Sequence, residues 1–137
     1  MDKLRLILLG DIHHVNVQRW CESLAGTDID LTILSFAKAP AGNWKAYQLP
    51  YHPYAKKLNY VWAAPHVRRL LRELAPDVVA AYYVTGYGTL GALANFHPLV
   101  QVTSGSDVLL THKRPWLRYV ARRNLRQADL VTAWAPH

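Results

Sequence analysis

Apolar runs alternate with amphipathic stretches along this chain of 137 residues. Runs rich in leucine, valine and isoleucine predict strands over residues 3–9, 29–36, 77–82, 99–103 and 129–133, and a further short strand is placed at 46–49. Apolar residues at helical spacing predict helices over residues 16–24, 57–74, 86–95 and 115–126, the second kinked or split by Pro65. The alternation predicts an α/β fold in one domain over residues 1–137: a Rossmann-like parallel sheet flanked by helices.

Polar loops that begin with glycine follow two of the predicted strands. The first strand runs into Gly10-Asp11-Ile12-His13-His14, and the strand at 99–103 runs towards Gly105-Ser106-Asp107. Open α/β sheets bind ligands beside the carboxyl ends of their strands, and glycine lets the backbone come close to a ligand. The two loops therefore predict one binding crevice.

The loop after the first strand has groups suited to phosphate binding or proton transfer. It leads into a predicted helix N-terminus, where N–H groups and the helix dipole bind anions. His13 and His14 add donors or a proton-transfer group. The pattern G-x-G-x-x-G is absent, so ordinary dinucleotide binding is not indicated. The alternative is a solvated loop that starts the helix.

Two further stretches offer groups for a sugar. The Asp107 carboxylate is suited to binding a sugar hydroxyl or orienting a nucleophile, and a simple helix cap is its alternative. After the strand at 77–82, the residues Tyr83, Thr85, Tyr87 and Gly88 combine flat rings, hydroxyls and an open backbone. Their alternative is a role in the core and the turn.

The formal net charge of +7 admits nucleic acid, an anionic membrane or phosphorylated small molecules as partners. Arg118, Arg122 and Arg126 recur at every fourth position and form one cationic stripe, which predicts a membrane-facing helix. A solvated helix face is the alternative. No helix-turn-helix, zinc or RNA-binding signature accompanies the charge, so no nucleic-acid partner is expected.

Cys21 is the single cysteine of the chain, so no internal disulfide forms. Its place in the helical pattern predicts a buried structural thiol. Without a cysteine pair or a signal peptide, the sequence indicates the cytoplasm. Histidines and acids lack metal-ligand spacing, so no metal is predicted.

Several short motifs, in their order and spacing, resemble the N-terminal half of family-4 glycosyltransferases of the GT-B type. The resemblance runs nearly end to end, over the segments Leu8–His13, Arg19-Trp20, Pro76–Val79, Tyr87–Leu93, Gly105–Leu109 and Ala128–Ala133. It implies a complete enzyme of two Rossmann-like domains with the active site between them. The N-terminal domain binds the acceptor, and a C-terminal domain, absent from this chain, holds most of the nucleotide-sugar donor.

The resemblance also implies roles for single residues. Gly10, Asp11, His13 and His14 match the first loop, which lies near the donor phosphates and the acceptor. The residues expected on the acceptor or sugar side are Arg19, Tyr83, Thr85, Tyr87, Gly88, Gly105, Ser106 and Asp107. Asp107 and His13 are the candidate catalytic groups, and neither a metal nor another cofactor is implied.

These observations predict the acceptor-binding half of a retaining glycosyltransferase. It would transfer a hexose from a nucleotide-sugar to a glycan or lipid-linked acceptor, at the inner face of the cytoplasmic membrane. Alone, it is expected to turn over poorly because half of the transition-state contacts are missing. One alternative is a non-catalytic membrane-docking or scaffold subunit that completes a separate glycosyltransferase chain. The other is a basic nucleic-acid-binding module.

Overall fold

A computed structural model of the protein describes residues 4–24, 26–38, 45–103 and 113–132. The described strands are β1 Leu4–Leu9, β2 Ile29–Ser35, β3 Lys45–Gln48, β4 Val78–Tyr82, β5 Leu99–Val102 and β6 Leu130–Thr132. The described helices are α1 Val15–Leu24, α2 Asn59–Trp62, α3 Ala64–Leu74, α4 Gly88–Leu93 and α5 Pro115–Arg126. A 3₁₀ turn at Lys56–Leu58 precedes α2, and a wide helical turn at Tyr83–Tyr87 precedes α4.

All six strands form one parallel sheet in the order β3-β2-β1-β4-β5-β6. The predicted Rossmann-like parallel sheet is therefore confirmed. The first strand lies at the centre of the sheet, where Leu8 pairs with Ile33 of β2 and Ala80 of β4. From β1 the next strands are added towards one edge of the sheet, and from β4 they are added towards the other edge. The switch point therefore lies between β1 and β4.

Strand alternation divides the core between the two faces of the sheet. Leu6, Leu8 and Ile33 pack with Val17 and Cys21 of α1 on one face. The other face packs against α3 and α4 through a second set of strand residues, namely Ile7, Leu9, Leu34, Val79, Ala81 and Leu99. Cys21 is 3% exposed and burial raises the pKa of its thiol, so the predicted buried structural thiol is confirmed.

The predicted helix over residues 57–74 is split rather than kinked. It divides at Ala63, and Pro65 lies in the first turn of α3. Proline has no N–H to donate and its ring collides with the carbonyl four residues earlier, so an uninterrupted helix is disfavoured there.

Candidate functional site

The switch point of the sheet lies between β1 and β4. Leu9 pairs with Ala81 at the carboxyl ends of these strands, so the loops that follow them are neighbours. From β1 the chain passes to β2 on one side, and from β4 it passes to β5 on the other. Connections that diverge in this way open a crevice where Rossmann-like sheets bind ligands.

A cleft of about 320 Å³ occupies this crevice, and we call it the tyrosine cleft. It is lined mainly by aromatic rings, with one carboxylate and one imidazole among the described residues. Its principal lining residues are Asp11, His14, Phe36, Tyr51, Tyr60 and Tyr83, with Tyr87 at its buried side. Flat rings with hydroxyl tips suit a ligand that has both an apolar face and polar groups.

Phe36, Tyr60 and Tyr87 hold the cleft wall together. Their ring centroids lie 5.4 to 5.6 Å apart, in tilted or edge-to-face arrangements. Burial raises the pKa of Tyr60 to about 12, with smaller contributions from its neighbours, Tyr87 before Asp11. Burial also raises the pKa of Tyr87, whose hydroxyl accepts a hydrogen bond from the Phe36 N–H at 3.1 Å. Both phenols therefore stay neutral at physiological pH.

The loop after β1 uses many of its N–H groups internally. The Ile12 N–H donates to the buried Ser35 hydroxyl at 3.2 Å, and the His13 N–H donates to the Asp11 carboxylate at 3.0 Å. The His14 N–H donates to the Asp11 carbonyl at 2.9 Å. These three amides are not directed at a ligand, so an anion here would rely on side chains or on other amides of the α1 N-terminus.

Hydrogen bonds assign the neutral tautomers of the two histidines. His13 Nε2 lies 2.8 Å from the Lys38 carbonyl oxygen, which can only accept, so Nε2 carries the proton. His14 Nδ1 accepts the Asn16 N–H at 3.1 Å, so its Nε2 also carries the proton. The His14 ring packs 5.2 Å from that of Tyr82 and lines the cleft, whereas His13 faces Lys38.

The wide turn at Tyr83–Tyr87 places two tyrosines at the cleft. Tyr83 has a φ of +81°, a left-handed conformation that is strained for a residue with a side chain. The buried Asn124 of α5 donates to the Val84 carbonyl at 2.8 Å and to the Thr89 hydroxyl at 2.9 Å. A helix on the far side of the turn thereby fixes part of the cleft.

Four of the predicted site residues come together at the tyrosine cleft: Asp11, His14, Tyr83 and Tyr87. Gly10 is buried just behind the loop, where a Cβ would meet Val17 Cγ2 at 3.2 Å. Residues 104–112 lie outside the described residues, and with them the predicted Gly105, Ser106 and Asp107.

Three other predicted residues do not line the cleft. Arg19 is exposed on α1, and Thr85 is half-buried in the turn, where its carbonyl is directed at the Thr89 hydroxyl. Gly88 is buried against β5. A Cβ added at this position would lie only 2.5 Å from Gln101 Oε1, so a larger residue would collide with Gln101. Close packing, rather than approach to a ligand, explains this glycine.

Sequence reasoning missed Phe36, Tyr51 and Tyr60. Phe36 directly follows β2, so the rule that ligands bind at strand ends could have found it. Tyr51 lies in a loop and Tyr60 in the short α2, and both reach the cleft through tertiary packing. No local pattern marks them.

Within the described ranges, no group of three or more His, Cys, Asp or Glu residues is placed to hold a metal ion. Among those same residues, no helix has both the length and the apolar character needed to span a bilayer.

The described residues form a Rossmann-like domain with an aromatic cleft at the switch point of its parallel sheet. A family model described as glycosyl transferase 4-like matches residues 5–134, and the chain belongs to that family. The resemblance to an N-terminal GT-B domain is thereby confirmed. A search of the curated proteins finds no match.

Solved structures show the same fold at low sequence identity. MurG from Acinetobacter baumannii matches with a TM-score of 0.61 and 17% identity, over 98% of this chain and 42% of MurG. The glycosyltransferase SnogD from Streptomyces nogalater matches with a TM-score of 0.58 and 15% identity, over 98% of this chain and 44% of SnogD. A protein named as a UDP-N-acetylglucosamine 2-epimerase from Listeria monocytogenes matches with a TM-score of 0.62 and 13% identity, over 97% of this chain and 40% of that protein. The chain therefore spans less than half the length of these proteins.

Proposed function

We propose that this chain is the acceptor-binding half of a retaining glycosyltransferase. In this proposal, a hexose passes from a nucleotide-sugar to a glycan or lipid-linked acceptor, without a metal. The observation that carries the proposal is the tyrosine cleft at the switch point of a domain from a glycosyl transferase family. The proposal places the chain in the cytoplasm, at the inner face of the membrane.

The cleft suits a neutral sugar unit of the acceptor. Tyr51, Tyr60 and Tyr83 offer ring faces for the C–H face of a sugar, and the Asp11 carboxylate offers an acceptor for its hydroxyl groups. Although the His14 imidazole also lines the cleft, the Asp11 carboxylate opposes the binding of a diphosphate there. The donor phosphates then depend on a second domain, as the resemblance implies, and the cleft keeps the acceptor.

Ligand-observed NMR with neutral saccharides and with UDP tests this proposal. Saturation transfer from the protein to a panel of mono- and disaccharides should reveal at least one binder. Asp11→Asn and Tyr60→Phe should weaken its binding by about tenfold, the effect of roughly 1.4 kcal/mol. Tyr47→Phe is the matched control, because Tyr47 lies on β3 and does not line the cleft.

Binding of UDP that Asp11→Asn leaves intact, with no saccharide bound, would contradict the assignment of the cleft to an acceptor. Two alternatives predict different results. A scaffold subunit would co-purify with a catalytic chain at fixed stoichiometry. A nucleic-acid-binding module would bind generic duplex with an affinity that falls steeply as salt rises.

A further inference from the structure

Five large apolar side chains face outward from α5, from α2 and from the turn before α2. They are 52 to 72% exposed, and we call them the aromatic face: Leu58, Val61, Trp62, Trp116 and Tyr119. An exposed apolar surface of this kind usually marks an interaction site.

The two helices present these side chains side by side. The Lys57 ammonium lies 5.5 Å from the centroid of the Trp116 ring. This contact brings the turn before α2 against the first turn of α5. Val61 and Tyr119 line one shared groove, together with Arg68 of α3 and residues of α4. The aromatic face is therefore one surface, although its residues come from separate parts of the sequence.

Asn59 holds α2 in this orientation. Its buried side-chain amide donates to the His52 and Lys56 carbonyls at 3.0 and 2.8 Å, and its oxygen accepts the His52 N–H at 2.8 Å. With Asn59 fixed inward, Leu58, Val61 and Trp62 are left in solvent.

Cations surround the aromatic face. Residues 54–72 and 113–128 contain eleven of the sixteen Lys and Arg residues of the chain and no Asp or Glu. All eleven are exposed. They include the predicted stripe of Arg118, Arg122 and Arg126. The positive charge of the molecule is therefore concentrated on the elements that carry the exposed rings and on α3, which follows α2.

We propose that the aromatic face docks on an anionic lipid bilayer, with Trp62 and Trp116 inserted at headgroup depth. Tryptophan and tyrosine favour this depth, because their rings are apolar and their tips are polar. Each nearby Lys or Arg adds attraction to anionic headgroups. Protein interfaces are enriched in Trp, Tyr and Arg but depleted in lysine. Lys57 lies against Trp116, and the exposed Lys56 and Lys113 are near the exposed rings in sequence, so the bilayer is the occupant we propose.

Docking would bring the tyrosine cleft close to the bilayer. In α2, Tyr60 turns inward to line the cleft, while Trp62, two residues later, turns outward. The helix α2 then separates the cleft from the bilayer, so the sugar end of a lipid-linked acceptor has about one helix diameter, roughly 10 Å, to span. This last step rests on the proposed function, whereas docking itself does not.

Vesicle co-sedimentation tests the proposal with the full chain. Vesicles of phosphatidylcholine with 30% phosphatidylglycerol should bind it, and vesicles of phosphatidylcholine alone should bind it at least tenfold more weakly. Arg118→Gln with Arg122→Gln should weaken binding to the anionic vesicles by roughly tenfold or more. The matched control is Arg5→Gln with Lys38→Gln, which removes two exposed cations elsewhere and should have a small effect.

Insertion has a separate readout. Trp62→Ala should weaken vesicle binding several-fold, and Tyr47→Ala, which removes a ring 43% exposed on β3, should not. Brominated lipids should quench tryptophan fluorescence, and Trp62→Phe with Trp116→Phe should abolish most of that quenching.

Three results would overturn the proposal: no binding to anionic vesicles, equal loss in the control pair, or a solution dimer that Trp62→Ala dissociates. The last would assign the aromatic face to a second copy of the chain. Because these measurements use no sugar, they can fail while the acceptor proposal stands, and the reverse also holds.

Discussion

Tyr60 shows how a single buried side chain sets the chemistry of the cleft. Burial raises the pKa of its phenol to about 12, so the group is a neutral hydrogen-bond donor and a flat packing surface at physiological pH. The neighbouring Asp11 charge adds to the same shift, although less than burial does. A hydroxyl and a carboxylate side by side provide both a donor and an acceptor for a ligand.

The shifted Tyr60 pKa predicts a stability change at alkaline pH. Because the folded-state pKa lies above the unfolded value of 10.0, the stabilisation is fully present below pH 10 and is lost as the pH rises towards 12. The loss for this group is about 2 to 3 kcal/mol. Urea unfolding from pH 8 to 11.5 should show a smaller decline for Tyr60→Phe than for the wild type. Tyr47→Phe should follow the wild type, and equal slopes for all three proteins would refute this account.

The predicted site residues divide according to what fixes their positions. Asp11, His14 and Tyr83 were predicted because they directly follow strands, and strand ends meet at one edge of a parallel sheet. Phe36 obeys the same rule and was overlooked, whereas Tyr51 and Tyr60 depend on how a loop and a short helix fold back. Gly88 was predicted as a ligand contact, but its missing Cβ makes room for Gln101.

At the scale of elements, the turn at Tyr83–Tyr87 depends on its neighbours. Gly86 interrupts it with non-helical backbone angles, and Tyr83 has a positive φ. The turn is supported from α5 by Asn124, and the Gly88 carbonyl after it accepts a hydrogen bond from Gln101 Nε2 at 2.9 Å. Two buried side-chain amides therefore support a strained segment of the binding site.

Asn124→Ala should lower the free energy of unfolding by about 1 to 3 kcal/mol, because two buried hydrogen bonds are lost. It should also speed amide hydrogen exchange in residues 83–88 more than in the strands. Arg126→Ala, an exposed substitution on the same helix, should stay within roughly 0.5 kcal/mol of the wild type. Unchanged exchange in the turn would show that Asn124 does not support it.

Most elements followed from the sequence, because period and length separate strands from helices. The helix at Pro115–Arg126 has the predicted bounds, and the described strands lie within one residue of theirs at most ends. The predicted helix over residues 86–95 begins two residues before the observed Gly88–Leu93, because the non-helical backbone of Gly86 ends the wide turn just before that helix. Burial of Asn59 and Asn124 was also not predicted, because their hydrogen-bond partners lie in distant or irregular segments.

At the scale of the whole molecule, the described sheet has β3 and β6 at its edges. Leu130 and Val131 of β6 are 58% and 46% exposed, and adjacent strand residues point to opposite faces. An edge strand with apolar side chains on both faces favours association with other chains.

Val131→Lys should reduce self-association of the 137-residue chain, because a charge on an edge strand opposes pairing. Light scattering at increasing protein concentration measures this effect. The free energy of unfolding should change by less than roughly 0.5 kcal/mol, as for other exposed substitutions. Gln101→Lys on the buried β5 is the contrasting variant and should unfold the protein. Unaltered scattering for Val131→Lys would place any association elsewhere.

The central position of β1 has a consequence for synthesis on the ribosome. One edge of β1 can pair once β2 has emerged, but its other partner, β4, begins at Val78 and ends at Tyr82. At usual translation rates, the 73 residues from Gly10 to Tyr82 take roughly 4 to 15 s to emerge. During that time Leu6 to Leu9 have one unpaired edge, so the nascent chain needs protection from misfolding long before its cleft exists.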